Sequence, residues 1–183
     1  MYRRTVIENE EHRIRLMKAM EEEFGRGRPD YFLRVIEEEQ SLVLRLHAVC
    51  ILAQVGGQES VPTLADVLPN DSDPLVRHEA PFSLGQIGYA SAAPPLERAL
   101  QSDPDPIVRH EAAAALGSIG SQISRTALQG ALADEDEIAR NSAGASLFNL
   151  DFLRKYDGGS TARDRAPRPL SPGTVSLSAV GEG

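Results

Sequence analysis

Asp73-Pro74-Leu75-Val76-Arg77-His78-Glu79-Ala80 recurs 32 residues later as Asp105-Pro106-Ile107-Val108-Arg109-His110-Glu111-Ala112, identical at seven of the eight positions. The same shift carries Leu84-Gly85 onto Leu116-Gly117 and Ile87-Gly88 onto Ile119-Gly120. Taken backwards it leads from Arg77 to Arg45, and sets Leu52, Gln54, Val55 and Gly56 under Leu84, Gln86, Ile87 and Gly88. Taken forwards, a shift of 31 reaches Arg140-Asn141-Ser142-Ala143 and Leu147. The intervening halves repeat as well, as Leu64, Leu96 and Leu128, then Leu68, Leu100 and Leu132. A weaker first copy holds Arg13 and Met20, then Phe32 and Ile36. Periodicity of this length is the mark of a stacked repeat.

Each unit reads as two helices. Pro74 and Pro106 suit a first helical turn, with Asp73 and Asp105 before them as N-caps. Gly88 and Gly120 stand where a left-handed residue ends the helix. Beyond them, residues 94–100 and 123–132 supply a second helix with apolar residues at i and i+4. One such pair cannot bury its own apolar stripe, so about four and a half pairs must stack into a continuous core. The fold predicted is an all-α solenoid of HEAT-like helix pairs. It occupies residues 1–156, and the Gly/Ser/Pro-rich segment 157–183 reads as a flexible tail.

Composition narrows the function classes. The 183 residues carry 19 Lys plus Arg against 27 Asp plus Glu, a formal charge of −8. Residues 41–156 hold −6 of it, and the tail contributes none. That balance argues against a nucleic-acid partner, and the 5% aromatic content with no Trp removes a base-stacking platform. Membrane-span and signal-sequence patterns are missing, since Met1-Tyr2-Arg3-Arg4 leads into charge. A single cysteine, Cys50, makes neither an internal disulfide nor a multi-thiolate metal site, so a cytoplasmic location is expected. The runs Glu21–Glu23, Glu37–Glu39 and Asp134–Glu137 read as solvated helix ends.

The histidines stand apart from the packing stripe. On a wheel centred on Val108, Ala112, Leu116 and Ile119 cluster with it, whereas His110 lies about 200° and Glu111 about 300° away. Small residues, Ala113, Ala114 and Gly117, surround His110; Pro81, Phe82 and Gly85 surround His78. Arg45, Arg77, Arg109 and Arg140 persist in every copy, which suggests a structural ion pair between repeats. The His-Glu pair is selective: its columns hold Leu46-His47 in the second copy and Asn141-Ser142 in the fourth. Adjacent solenoid units would bring His78, Glu79, His110 and Glu111 onto one surface.

Two imidazoles and two carboxylates there form a candidate metal site. Nitrogen and oxygen donors without thiolate favour iron, manganese or zinc. Two carboxylates about 4 Å apart would repel by about 4 kcal/mol at an effective dielectric of about 20, a penalty that a divalent cation reverses. His47 lies in the glutamate column of its repeat and reads as a supporting or merely polar residue. Neither pair extends to H-E-x-x-H, because Phe82 and Ala114 stand four residues after the histidines, so a metallohydrolase is disfavoured. Cys50, among Val49, Ile51 and Leu52, reads as a buried, inert thiol.

Arg77-His78-Glu79-Ala80 with Leu84-Gly85-Gln86-Ile87-Gly88, followed by Val108 to Gly120, closely resembles deoxyhypusine hydroxylase over residues 33–155. That family is a HEAT-like di-iron monooxygenase acting on the deoxyhypusine side chain of a translation factor. Its four His-Glu pairs, two in each of two similar halves, clasp two irons. By position, His78-Glu79 and His110-Glu111 match the two pairs of one half. The resemblance implies iron, two per site, with O₂ as co-substrate. It also implies a homodimer whose two-fold axis replaces the missing half. The substrate expected is an amine, an amino acid or a protein side chain, favoured by the acidic middle segment if cationic. The competing expectation is a non-catalytic HEAT-like scaffold for a protein partner or a chromophore.

Overall fold

Asp73-Pro74 and Asp105-Pro106 open helices as their spacing predicts. Asp73 Oδ1 accepts a hydrogen bond from the Leu75 N–H and Asp105 Oδ1 one from Ile107, each at 2.9 Å, with proline in the first turn. The helices they start, α5 (Pro74–Ile87) and α7 (Pro106–Ile119), end at Gly88 and Gly120. Those glycines have φ of 77° and 73°, the left-handed region in which a side chain is strained. A three-residue 3₁₀ turn then leads into each second helix, α6 (Ala93–Ser102) and α8 (Arg125–Ala131).

The computed structural model describes residues 2–156, and the tail expected over 157–183 lies outside the described residues. Before α5 come α1 (Tyr2–Gly25), α2 (Pro29–Glu38), α3 (Leu42–Val55) and α4 (Val61–Asn70); α9 (Glu137–Tyr156) follows α8. Four helix pairs and a final single helix match the four and a half units read from the repeat. Among the described residues there is no strand, and no helix is long and apolar enough to cross a membrane.

The first helices α3, α5, α7 and α9 pack side by side as one layer. Each second helix packs chiefly on the first helix of the following unit: α2 on α3, α4 on α5, α6 on α7, α8 on α9. The core follows the repeat columns. Leu44, Val76, Val108 and Ala139 are fully buried, as are Ala48, Ala80, Ala112 and Ala143, and Leu64, Leu96 and Leu128. Met20, Phe32 and Ile36 of the weak first copy join them. One column breaks: Leu68 and Leu100 are buried, but Leu132 falls just past the end of α8 and is 49% exposed.

Close helix approach in the first layer depends on small residues. A Cβ on Gly117 would stand 2.5 Å from Ser146 Oγ, and one on Gly85 would stand 3.0 Å from Ala115 Cα. Serine hydroxyls span the same seams, Ser83 donating to the Val49 carbonyl at 3.0 Å and Ser146 to that of Ala113 at 2.8 Å. The small residues around His110 therefore admit α9.

The repeated arginines form a ladder. Arg45 grips Asp71, Arg77 grips Asp103, and Arg109 grips Asp134, each through Nε and Nη2. The next rung uses the same acid: Arg77, Arg109 and Arg140 donate through Nη1 to the carbonyls of Asp71, Asp103 and Asp134. Each aspartate also accepts the N–H two residues on, which shapes the tight corner between a second helix and the next first helix. The expected ion pair is thus present, with Asp134 a largely buried partner and not a solvated acid. Arg13 is exposed in the first unit, and His12 contacts Glu39, in the aspartate column, at 2.9 Å.

Candidate metal centre

The packing of α3, α5, α7 and α9 decides where each site candidate points. Successive residues on a helix diverge by about 100°. The histidine of each pair leans toward the following helix, and the glutamate toward the preceding one. Glu111 on α7 therefore meets His78 on α5, with Oε2 3.5 Å from Nε2. Its own neighbour His110 also stands close, with Nε2 3.8 Å from the same oxygen. His110 Nδ1 makes a short hydrogen-bond contact with Ser142 Oγ on α9. Glu79 leans back onto the Cys50 thiol of α3.

Of the four residues singled out in the sequence, three gather and one diverges. His78, His110 and Glu111 flank the groove between α5 and α7, with the imidazoles about one-third exposed and the Glu111 carboxylate 14% exposed. Glu79 lies one repeat back, beside Cys50. His47 is exposed on α3 and takes no part in the row. Ser142 had not been singled out. The signal lay in the repeat, since Ser142 occupies the column of Glu79 and Glu111, and that column reaches back to the preceding unit.

Electrostatics follow from these contacts. The hydrogen bond to Glu111 holds the His78 imidazole above the usual histidine range, against the opposing effect of burial, with the charges of Glu111, Glu79 and Asp105 adding to it. Burial pushes the Cys50 thiol up to about 11, and the Glu79 carboxylate beside it acts in the same direction. Cys50 is thus a protonated, partly buried thiol, in accord with its reading as inert.

Donor chemistry and spacing suit a hard or borderline divalent ion. Two ligands held at about 2.1 Å from a tetrahedral ion stand about 3.4 Å apart. The His78–Glu111 pair already has that separation, and the His110–Glu111 pair exceeds it by a few tenths of an ångström. Even so, among the described residues no group of three or more His, Cys, Asp or Glu side chains closes around one point to hold a metal. A single chain offers an open arc of donors.

Alongside this arc runs a row of exposed aliphatic residues, one per unit: Val43, Leu75, Ile107 and Ile138, between 42% and 56% exposed. They sit in the first turn of α3, α5, α7 and α9, next to the histidine column. On α9 the exposed apolar surface continues through Phe148, Phe152 and Tyr156. Phe148 occupies the column of Gly85 and Gly117, so α9 presents a bulky ring where its predecessors admit a neighbouring helix.

Comparison with known proteins agrees with this architecture. The model of the HEAT repeats family matches residues 29–116 and 70–147. Human deoxyhypusine hydroxylase, solved in complex with glycerol, is similar at 31% identity and a TM-score of 0.63, over 68% of this chain and 44% of that one. The chain thus spans less than half the length of that enzyme. A search of curated proteins returned no match.

Proposed function

The chain belongs to the HEAT repeats family, and from that premise we propose that it is an iron-dependent, O₂-activating hydroxylase of the deoxyhypusine hydroxylase kind. The observation that carries the reading is that His78 and His110 both stand near one carboxylate oxygen of Glu111, at 3.5 and 3.8 Å, the first of which is a separation that two ligands of a shared ion adopt. Similarity to human deoxyhypusine hydroxylase over 68% of this chain supports it.

In this reading His78, His110 and Glu111 hold iron, and Glu79 joins them when its carboxylate turns away from Cys50. Bound iron supplies the reduction and activation of O₂. The residues of the chain hold the ligand geometry through the helix seams. The acidic balance of residues 41–156 favours a cationic substrate, an amine, an amino acid or a protein side chain.

The open arc is completed by a second copy of the chain. The two-fold axis of a homodimer doubles every donor, as the second half does in a chain twice as long. The aliphatic row Val43, Leu75, Ile107 and Ile138 supports this arrangement, because apolar residues bordering the donors are what a mating copy would cover. The same row is the observation that favours the second reading, a non-catalytic scaffold whose partner is another protein.

Anaerobic reconstitution with Fe²⁺, metal analysis and an optical spectrum after O₂ addition separate the two. Uptake of about one iron per chain, lost in a His78→Ala/His110→Ala variant, is expected for two irons in a dimer-shared site. A protein that takes up no iron, or that keeps it without both histidines, is a scaffold.

A further inference from the structure

Ser142 has one hydroxyl proton and two neighbours that claim it. Its Oγ lies 2.9 Å from the Ile138 carbonyl one turn earlier in α9, a contact that a carbonyl makes only as acceptor. If the proton pointed elsewhere, two oxygens would oppose each other at that distance. With the proton on the Ile138 carbonyl, Oγ can only accept from His110 Nδ1. His110 must then carry its proton on Nδ1.

In the neutral ring this leaves the lone pair on Nε2, the atom 3.8 Å from Glu111 Oε2. Two electron-pair donors at that separation repel unless a proton or a metal cation lies between them. We infer that Ser142 is a positioning residue, which holds His110 as its Nδ1–H tautomer and so presents Nε2 as a cation ligand facing Glu111. A hydroxyl whose proton is held by its own helix accepts from the imidazole as a carboxylate would, without adding a charge. The two units before it have Glu111 and Glu79 in this column, so a neutral hydroxyl replaces the carboxylate in the fourth unit.

The inference rests on the metal-binding reading for its purpose, although the tautomer can be observed without metal. Long-range ¹H–¹⁵N correlation spectra of the full chain, stripped of metal and above the histidine titration range, report the protonated nitrogen. The His110 signal is assigned by its loss in His110→Gln. An Nδ1–H pattern is expected in the wild type, a mixture or Nε2–H in Ser142→Ala, and a return to Nδ1–H in Ser142→Thr. In parallel, Zn²⁺ titration should show affinity reduced about 10- to 100-fold in Ser142→Ala and retained in Ser142→Thr. An Nε2–H ring in the wild type, or a tautomer unmoved by Ser142→Ala, overturns the inference. If the Nδ1–H ring is found but no Zn²⁺ or Fe²⁺ binds, the metal-binding reading fails and the tautomer assignment stands. Metal binding with an Nε2–H ring separates them in the opposite sense.

Discussion

His78 is paired with Glu111, 33 residues away on the next first helix, and not with Glu79, its neighbour in the chain. The recurring dipeptide thus works across a helix seam. Its two members diverge, the histidine toward the following helix and the glutamate toward the preceding one, although His110 Nε2 also stands 3.8 Å from its own Glu111.

That relationship separates the two carboxylates experimentally. Replacing Glu111 with Gln removes the carboxylate lying near both histidines, and metal affinity should fall more than about tenfold, a loss of at least about 1.4 kcal/mol. Glu79→Gln should weaken binding less, because its carboxylate must first leave Cys50. Calorimetric titration with Fe²⁺ under nitrogen makes the comparison, and equal losses would contradict the pairing.

Cys50 reports the position of Glu79 without any metal. With its thiol raised to about 11, only about 0.1% is thiolate at pH 8, and alkylation should be slow. Removing the neighbouring negative charge in Glu79→Gln should lower that pKa and speed modification by iodoacetamide several-fold. Glu111→Gln should leave the rate unchanged.

The arginine ladder sets a pH dependence. The Arg109 guanidinium holds the Asp134 carboxyl below the usual aspartate range, with the Asp136 N–H and Arg140 helping and burial opposing. A carboxyl depressed in the folded state stabilises the fold above its unfolded pKa, and that stability fades as pH falls through the folded value. Asp134→Asn should therefore destabilise at pH 7 and flatten the stability profile below about pH 4. Arg109→Met, which leaves the largely buried Asp134 without its partner, should cost about 3 kcal/mol in urea unfolding. Arg140→Met should cost less, because its bonds go to carbonyls.

Glycine substitutions should divide by location. A methyl at Gly117 would meet Ser146 on α9, so Gly117→Ala should destabilise by about 1–3 kcal/mol through overpacking. Gly130 has nothing within 4 Å of an added Cβ and lies in α8. Gly130→Ala should raise the melting temperature, through a gain of up to about 1 kcal/mol.

A second copy on the aliphatic row can be tested by charge. Leu75→Glu/Ile107→Glu changes two exposed residues and should leave the fold intact by circular dichroism. Sedimentation should show the dimer converted to monomer, with iron uptake lost at the same time. A variant that still sediments as the wild type would place any dimer contact elsewhere.

Much of the architecture was legible because a solenoid is local. Asp73 and Asp105 as caps, Gly88 and Gly120 as helix ends, and the leucine and alanine columns all act within one unit or between adjacent units, at a spacing that the chain states openly. Leu132 misled because the column rule assumes a full second helix, and α8 ends one residue before it. The partners of the arginines were missed for another reason. Asp71, Asp103 and Asp134 lie in corners where acids look solvated, and their burial comes from the packing of two helices against one loop.

The sequence by itself determined the repeat, the helices and their caps, the buried columns, and the presence of two His-Glu pairs in adjacent units. These follow from periodicity and local stereochemistry. Only the tertiary structure decided that His78 meets Glu111, that Glu79 turns to Cys50, and that Ser142 meets His110. The angle between neighbouring side chains on a helix is set by the chain, but the element that each one faces is set by how α3, α5, α7 and α9 pack. The small residues at Gly85 and Gly117 let those helices come close enough for side chains one repeat apart to meet.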